Sequence, residues 1–345
     1  MKIVLLCFLV AVGAGRAALA GPCSGIEPEL GQISLQLDHD APEAAARLVS
    51  PIALSHPDCP AVLLAQARIE AATEQPSQAK SDFERYLQSQ PSDSNGYAYY
   101  ARFLLDREQY QRADDLSLAA IAKDPDGPAA LAVRGQILDM KRDPQKGLEF
   151  LSRACQLDPE DVRAQFDLGS MDDRAKRPAD AVTHFEKVVA IEPGDARAWD
   201  YLALNLEPLG EIDRAKEAYA KGLAVNQQGP HYDAFLDYNY GRLLMKLDRL
   251  DDSKTHLDRA VELVPQMRAT WYERAKLDLR LKDYQRARTD AEQAAAIPDP
   301  NGVIIDLQIY ALLERVYRHL GEAELAAKYA ELGRQTPPPV RGGQH

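Results

Sequence analysis

The side chains that could do chemistry are scattered along this sequence rather than gathered. None of the seven histidines sits in the His-Glu-x-x-His spacing that holds zinc on one helix face. No glycine-rich loop precedes Lys-Ser or Lys-Thr, so no phosphate cradle is encoded. Asp124-Pro125-Asp126-Gly127 opens like a calcium loop but lacks the later acidic ligands. His39, between Asp38 and Asp40, could be read as a metal ligand, yet such a polar cluster is what a turn between two helices requires. No catalytic residue, no metal site and no cofactor is therefore expected. The thiols are more informative: Cys7, Cys23, Cys59 and Cys155.

Charge sets the class of partner. The chain carries 41 Lys+Arg against 53 Asp+Glu, a net charge of −12 in 345 residues, with no contiguous basic run. Nucleic acid and anionic bilayers repel such a chain, so nucleic acid is set aside. Lys2, an apolar stretch from Ile3 to Gly13 and Ala18-Leu19-Ala20 before Gly21 together describe a secretory signal peptide over residues 1–20. The apolar stretch is too short to span a bilayer, and no transmembrane segment is expected elsewhere. The compartment is then the periplasm or the outside of the cell. A lipoprotein acylated at Cys23 is the alternative; it fits less well, because Ala20 and Pro22 stand where such signals carry Leu and a small residue. Export permits a disulfide, and loss of Cys7 with the signal leaves three thiols and three pairings.

A fixed period organises the rest. Pro57, Pro91, Pro125, Pro159 and Pro193 recur every 34 residues. One further step lands on Gln227; a four-residue insertion then resets the phase to Pro265. With this proline as position 32, repeats begin at Ile26, Pro60, Ser94, Pro128, Val162, Ala196, Ala234, Arg268 and Leu307. Position 20 is small in all nine: Ala45, Ala79, Ala113, Gly147, Ala181, Ala215, Ser253, Ala287 and Ala326. Position 8 is small from Ala67 to Ala275, including Gly135, Gly169 and Gly241, and Glu314 is the exception. Apolar residues recur three and four apart within each half, as at Val182, Phe185, Val188 and Val189, which argues for two helices per repeat. Pro42, Pro76, Pro144 and Pro178 sit at position 17, where a second helix should begin.

This pattern resembles the tetratricopeptide repeat (TPR) family. The fifth and sixth repeats carry it most plainly, with Leu168-Gly169, Ala181, Phe185 and Pro193, then Trp199, Leu202, Gly210, Ala215 and Tyr219. The resemblance implies an all-α, right-handed superhelical solenoid of about nine helix-turn-helix units over residues 26–337. Residues 21–25 precede it, and a loose tail, 338–345, follows it. The family usually has Gly at position 15; here Gly210 and Gly321 do, whereas Asp40, Glu74, Glu108 and Lys176 replace it. In an antiparallel hairpin the start of one helix and the end of the next lie at one end. The phase thus places Cys23 and Cys59 together and buries Cys155 at position 28 of the fourth repeat. A Cys23–Cys59 bridge is expected.

The resemblance also implies a function: a non-catalytic scaffold binding a protein or peptide in a concave groove lined by the first helices, in envelope assembly or secretion. A structural spacer within a larger complex is the alternative, and an enzyme with an unrecognised groove site is a further one. Position 9, one of the lining positions, reads Arg68, Arg102, Gln136, Ser170, Leu204, Arg242, Lys276 and Arg315 from the second repeat onward. Five of eight are basic in an acidic chain. Tyr238 and Tyr272 at position 5 add flat surface beside the last of them. Such a groove favours acidic or carboxylate-ended segments; the competing reading is a set of ordinary surface charges paired with acids such as Asp106 and Asp139. The family's carboxylate clamp is matched only by Asn239, so it is not expected here.

Overall fold

Proline sets the rhythm of the fold. Placed in a first helical turn it forfeits no intrahelical bond, and it pushes the preceding residue out of helical geometry. The computed structural model describes residues 22–38, 41–73, 75–226, 233–298 and 304–336, and among them all regular structure is helical. The segment 1–20, Gly21, His39 and the tail 338–345 lie outside the described residues.

The chain divides into two compact bodies, with the boundary between Asp158 and Pro159. The first holds α1 (Glu27–Asp38), α2 (Pro42–Ser55), α3 (Pro60–Ala72), α4 (Pro76–Ser89), α5 (Ser94–Leu105), α6 (Tyr110–Lys123), α7 (Pro128–Met140) and α8 (Pro144–Leu157). The second holds α9 (Val162–Arg174), α10 (Pro178–Ile191), α11 (Ala196–Leu206), α12 (Ile212–Asn226), α13 (Ala234–Lys246), α14 (Leu250–Leu263), α15 (Arg268–Arg280), α16 (Tyr284–Ala296), α17 (Asp306–Leu320) and α18 (Ala323–Gln335). In each body odd and even helices pair as antiparallel hairpins, and each hairpin packs on the next. The second helix of every repeat starts at position 17, from Pro42 to Ala323.

Small residues at positions 8 and 20 are buried where the two helices of a hairpin cross, and bulky side chains fill the space beside them. Phe83, Tyr100 and Leu104 form such a core in the first body; Phe185, Tyr219, Leu236 and Leu257 do so in the second. Two further devices join consecutive repeats. Asp93, Asp161, Asp195 and Asp233 each precede a first helix and accept hydrogen bonds from its leading N–H groups. Gln165, Trp199 and Trp271, all at position 4, donate to the carbonyls of Pro159, Pro193 and Pro265 at 3.0, 2.9 and 2.8 Å. The position-32 proline thus ends one helix and anchors the next.

From the third hairpin to the ninth, the turn inside the hairpin is left-handed at position 15 whatever residue occupies it. Gly210 and Gly321 have φ of 76°, and Glu108, Arg142, Lys176, Asp248 and Lys282 have φ between 59 and 64°. A side chain pays about 1–2 kcal/mol for that conformation. Glu108, Arg142, Lys176 and Lys282 form no ion pair among the described residues that would offset it. Changing these four to glycine is expected to stabilise the fold by about 0.5–1 kcal/mol each, after the added entropy of an unfolded glycine is subtracted. Urea titration of the quadruple variant checks this; an unchanged or lowered midpoint would refute it.

The Asp124–Gly127 segment is a turn. Asp124 Oδ1 accepts from the Asp126 N–H at 3.0 Å, and Asp126 pairs with Arg153. Among the described residues no group of three acidic, His or Cys side chains is placed to hold a metal ion, and no helix is long and apolar enough to cross a membrane. Cys23 and Cys59 form the expected bridge, with Cα atoms 5.0 Å apart, and Cys155 is buried on α8.

Candidate functional site: the first-helix face

Because Cβ positions three and four apart share a helix face, positions 5, 6 and 9 of a first helix stand side by side. The nine lining residues fall into two groups. Arg68, Arg102 and Gln136 belong to α3, α5 and α7 of the first body. Ser170, Tyr238, Arg242, Tyr272, Lys276 and Arg315 belong to α9, α13, α15 and α17 of the second.

In the first body Arg68 is already occupied. Its side chain is 14% exposed, donates to Asp38 Oδ1 at 2.6 Å, and lies over the Tyr99 ring at 4.0 Å. That pair ties the first repeat to the second, a use that the spacing of charges alone does not reveal. Arg102 and Gln136 are half-buried.

The second body gathers the densest set. Helix α13 packs on α11, α15 on α13, and α17 on α15. The Arg242 guanidinium lies 5.4 Å from the Tyr238 ring, and Lys276 Nζ lies 5.2 Å from the Tyr272 ring. Tyr238 is only 8% exposed, so its ring is a floor rather than the open surface expected of it; Tyr272 is half-buried and supplies the accessible ring. Burial is the main cause that pushes the Tyr238 hydroxyl up to about 12 and raises that of Tyr272, so both remain neutral donors at physiological pH. Lys276 donates to Glu273 at 2.7 Å. Arg315 is exposed and forms no ion pair among the described residues. Ser170 lies on α9, away from this set, and its buried Oγ has no hydrogen-bond partner among the described residues.

Helix α15 is held firmly on its other side. Arg274 donates to Asp290 at 2.6 Å and to Asp258 at 3.0 Å, tying α15 to α16 and α14. On the other side of α13 an open cleft of about 580 Å³ lies among α12, α13 and α14, lined by Ile212, Tyr240, Leu244 and His256.

Beneath Arg242 lies a residue whose importance the sequence did not disclose. Asp200 of α11 is 6% exposed, and both its carboxylate oxygens accept from Asn239 Nδ2, at 3.1 and 2.9 Å. Arg242 Nη1 reaches Asn239 Oδ1 only at 3.5 Å. Burial pushes the Asp200 carboxyl up to about 7, opposed by the Asn239 hydrogen bond and the Arg242 charge and reinforced by Asp233 and Glu207. Asp200 stands at position 5 of the sixth repeat, and the repeat column does not show its burial beneath a neighbouring repeat.

A ladder of hairpins presenting one helix face per repeat defines a helical-repeat protein. Comparison with known proteins makes the class specific. The tetratricopeptide repeat model matches residues 64–128, 101–162 and 238–303. The chain is a member of the tetratricopeptide repeat family. It is 28% identical over 148 residues to the mitochondrial import receptor subunit TOM70 of Rattus norvegicus, covering 43% of this chain and 24% of that one. It is 22% identical over 215 residues to anaphase-promoting complex subunit 3 of Schizosaccharomyces pombe, covering 62% and 31%. The chain thus spans about a quarter of the length of the import-receptor subunit. Among solved structures, the APC/C hetero-tetramer Cut9–Hcn1 superposes with a TM-score of 0.68 at 14% identity, over 85% of this chain and 56% of that one. A tetratricopeptide repeat protein from Parabacteroides merdae superposes with a TM-score of 0.54 at 17% identity, over 72% and 94%.

Proposed function

We propose that this chain is a non-catalytic scaffold that binds an acidic protein or peptide segment on the first-helix face of its second body, outside the cytoplasm. The observation that carries the reading is a row of cations beside rings, Arg242 at Tyr238 and Lys276 and Arg315 at Tyr272, in a chain of net charge −12. Cations beside a flat ring offer charge-assisted hydrogen bonds to carboxylates and apolar contact to their stems. The names of the relatives, an import receptor subunit and a subunit of a multiprotein complex, support an interaction role. Two features support export with removal of residues 1–20: the Lys2-led apolar start, and a disulfide of a kind that persists in oxidising compartments.

Charge reversal tests the reading. The double variant Arg242→Glu, Lys276→Glu is expected to lose an acidic partner while keeping wild-type helicity by circular dichroism. Wild-type binding is expected to weaken as salt rises.

A further inference from the structure

Asp200 is a carboxyl group in the floor of a cationic face with no cation of its own. Among the described residues no Lys or Arg nitrogen is within ion-pair distance of it; Asn239 alone serves its oxygens. The groups around it are mostly acidic or neutral. Its own helix adds Tyr201 and Arg197, which acts on Tyr201; Glu207 caps the end of that helix, and Asp233 lies just ahead of α13. From α12 comes Tyr219, whose hydroxyl donates to Glu207 at 2.9 Å. From α13 come Asn239, Arg242 and Lys246, the last spent on Glu207 at 2.6 Å. From α9, Asp173 and Arg174 act on neighbouring Tyr201. Burial without a counter-charge favours the neutral acid. A neutral acid can both donate and accept, so the Asn239 amide keeps a partner in either state.

We infer that Asp200 sets the charge of the binding face, so that an acidic segment binds with uptake of one proton at Asp200 and is repelled by its carboxylate. The inference rests on the face being the docking surface for an acidic segment. An anion beneath Arg242 offsets the cation that the segment must meet; protonation removes the offset. Linkage fixes the sign. Binding that favours the protonated form strengthens as pH falls through neutrality, whereas glutamates of the segment, ionised well above their ordinary value near 4.3, contribute no slope there. His184 and His256 lie on α10 and α14, bonded to Gln165 at 2.8 Å and to Asp237 at 2.6 Å, and burial lowers the pKa of His184.

The test is fluorescence anisotropy of a tetramethylrhodamine-labelled oligoglutamate on the full chain across the range from mildly acidic to mildly alkaline pH. Wild type is expected to bind about tenfold more tightly at the acidic end. Asp200→Asn, nearly isosteric, is expected to bind tightly at every pH with its slope abolished, its fold checked by circular dichroism. Calorimetry of wild type in buffers of different ionisation enthalpy should register proton uptake near neutrality. A flat wild-type profile, or a slope retained in Asp200→Asn, overturns the inference but leaves the docking face intact if Arg242→Glu, Lys276→Glu still loses binding. Absence of binding at any pH overturns both.

Discussion

Replacing Cys23 and Cys59 by serine is expected to destabilise the first repeat by about 3–4 kcal/mol, the chain-entropy value for a loop of 36 residues. The reason lies in where the bridge sits. Cys59 is 1% exposed and occupies the N-cap position of α3, and Cys23 precedes α1. The bridge therefore closes the hairpin α1–α2 onto the start of the second repeat. That hairpin begins the described array and is thinly buttressed: Ile33 is the only fully buried side chain of α1, and the core around it is completed by Val49, Ile52 and Val62. In an array whose stability is a sum of repeat and interface contributions, the loss falls on the end repeat. Hydrogen exchange should show α1 and α2 losing protection in the double-serine variant while α7 and α8 keep theirs. Unaltered protection of α1 and α2 would show that packing alone holds them.

Gly135→Ala is expected to cost about 2–3 kcal/mol, even after the helix-propensity gain of about 1 kcal/mol from removing a glycine. A methyl group there would stand 2.6 Å from Leu151 Cγ and 2.9 Å from the Gly147 carbonyl oxygen, and a carbonyl cannot rotate away as a side-chain tip can. Gly169, the same position one repeat later, meets only side-chain atoms, Phe185 Cζ at 3.0 Å and His184 Cβ at 3.2 Å, and should tolerate alanine better. The fourth repeat is tighter at this point because positions 8 and 20 are both glycine, which leaves the backbone of α8 within reach of a methyl group on α7. Gly31 on α1 is the internal control: nothing lies within 4 Å of its added methyl, and Gly31→Ala should stabilise by about 0.5–1 kcal/mol. Thermal unfolding of the three variants checks the order; Gly135→Ala equal to or more stable than Gly169→Ala would contradict the geometry.

Helices were legible because their signals are local. Proline at position 17 and small residues at positions 8 and 20 act within one hairpin, so a column of the repeat reads directly as a crossing point. The bridge was legible for the same reason, since both thiols flank one hairpin. The Asp caps ahead of the first helices were equally local, and a search of the position before each repeat start would have found them. The face was harder. Arg68 and Asp38 meet across two repeats, and Asp200 is buried by residues of the following one. A column shows which side chains share a face but not which neighbour neutralises them or covers them. Tyr238 and Tyr272 share position 5, yet one is floor and the other surface, because packing between consecutive first helices differs from repeat to repeat.

The most direct measurement on the binding face is the affinity of the labelled oligoglutamate for the wild-type chain and for Arg242→Glu, Lys276→Glu at low and at physiological salt. A docking face for acidic segments predicts at least about hundredfold weaker binding by the double variant at low salt, since two attractive charges become repulsive, and a difference that shrinks as the Debye length falls to about 8 Å. Equal affinity of the two proteins, with helicity unchanged, would place the partner elsewhere on the repeats and contradict the assignment.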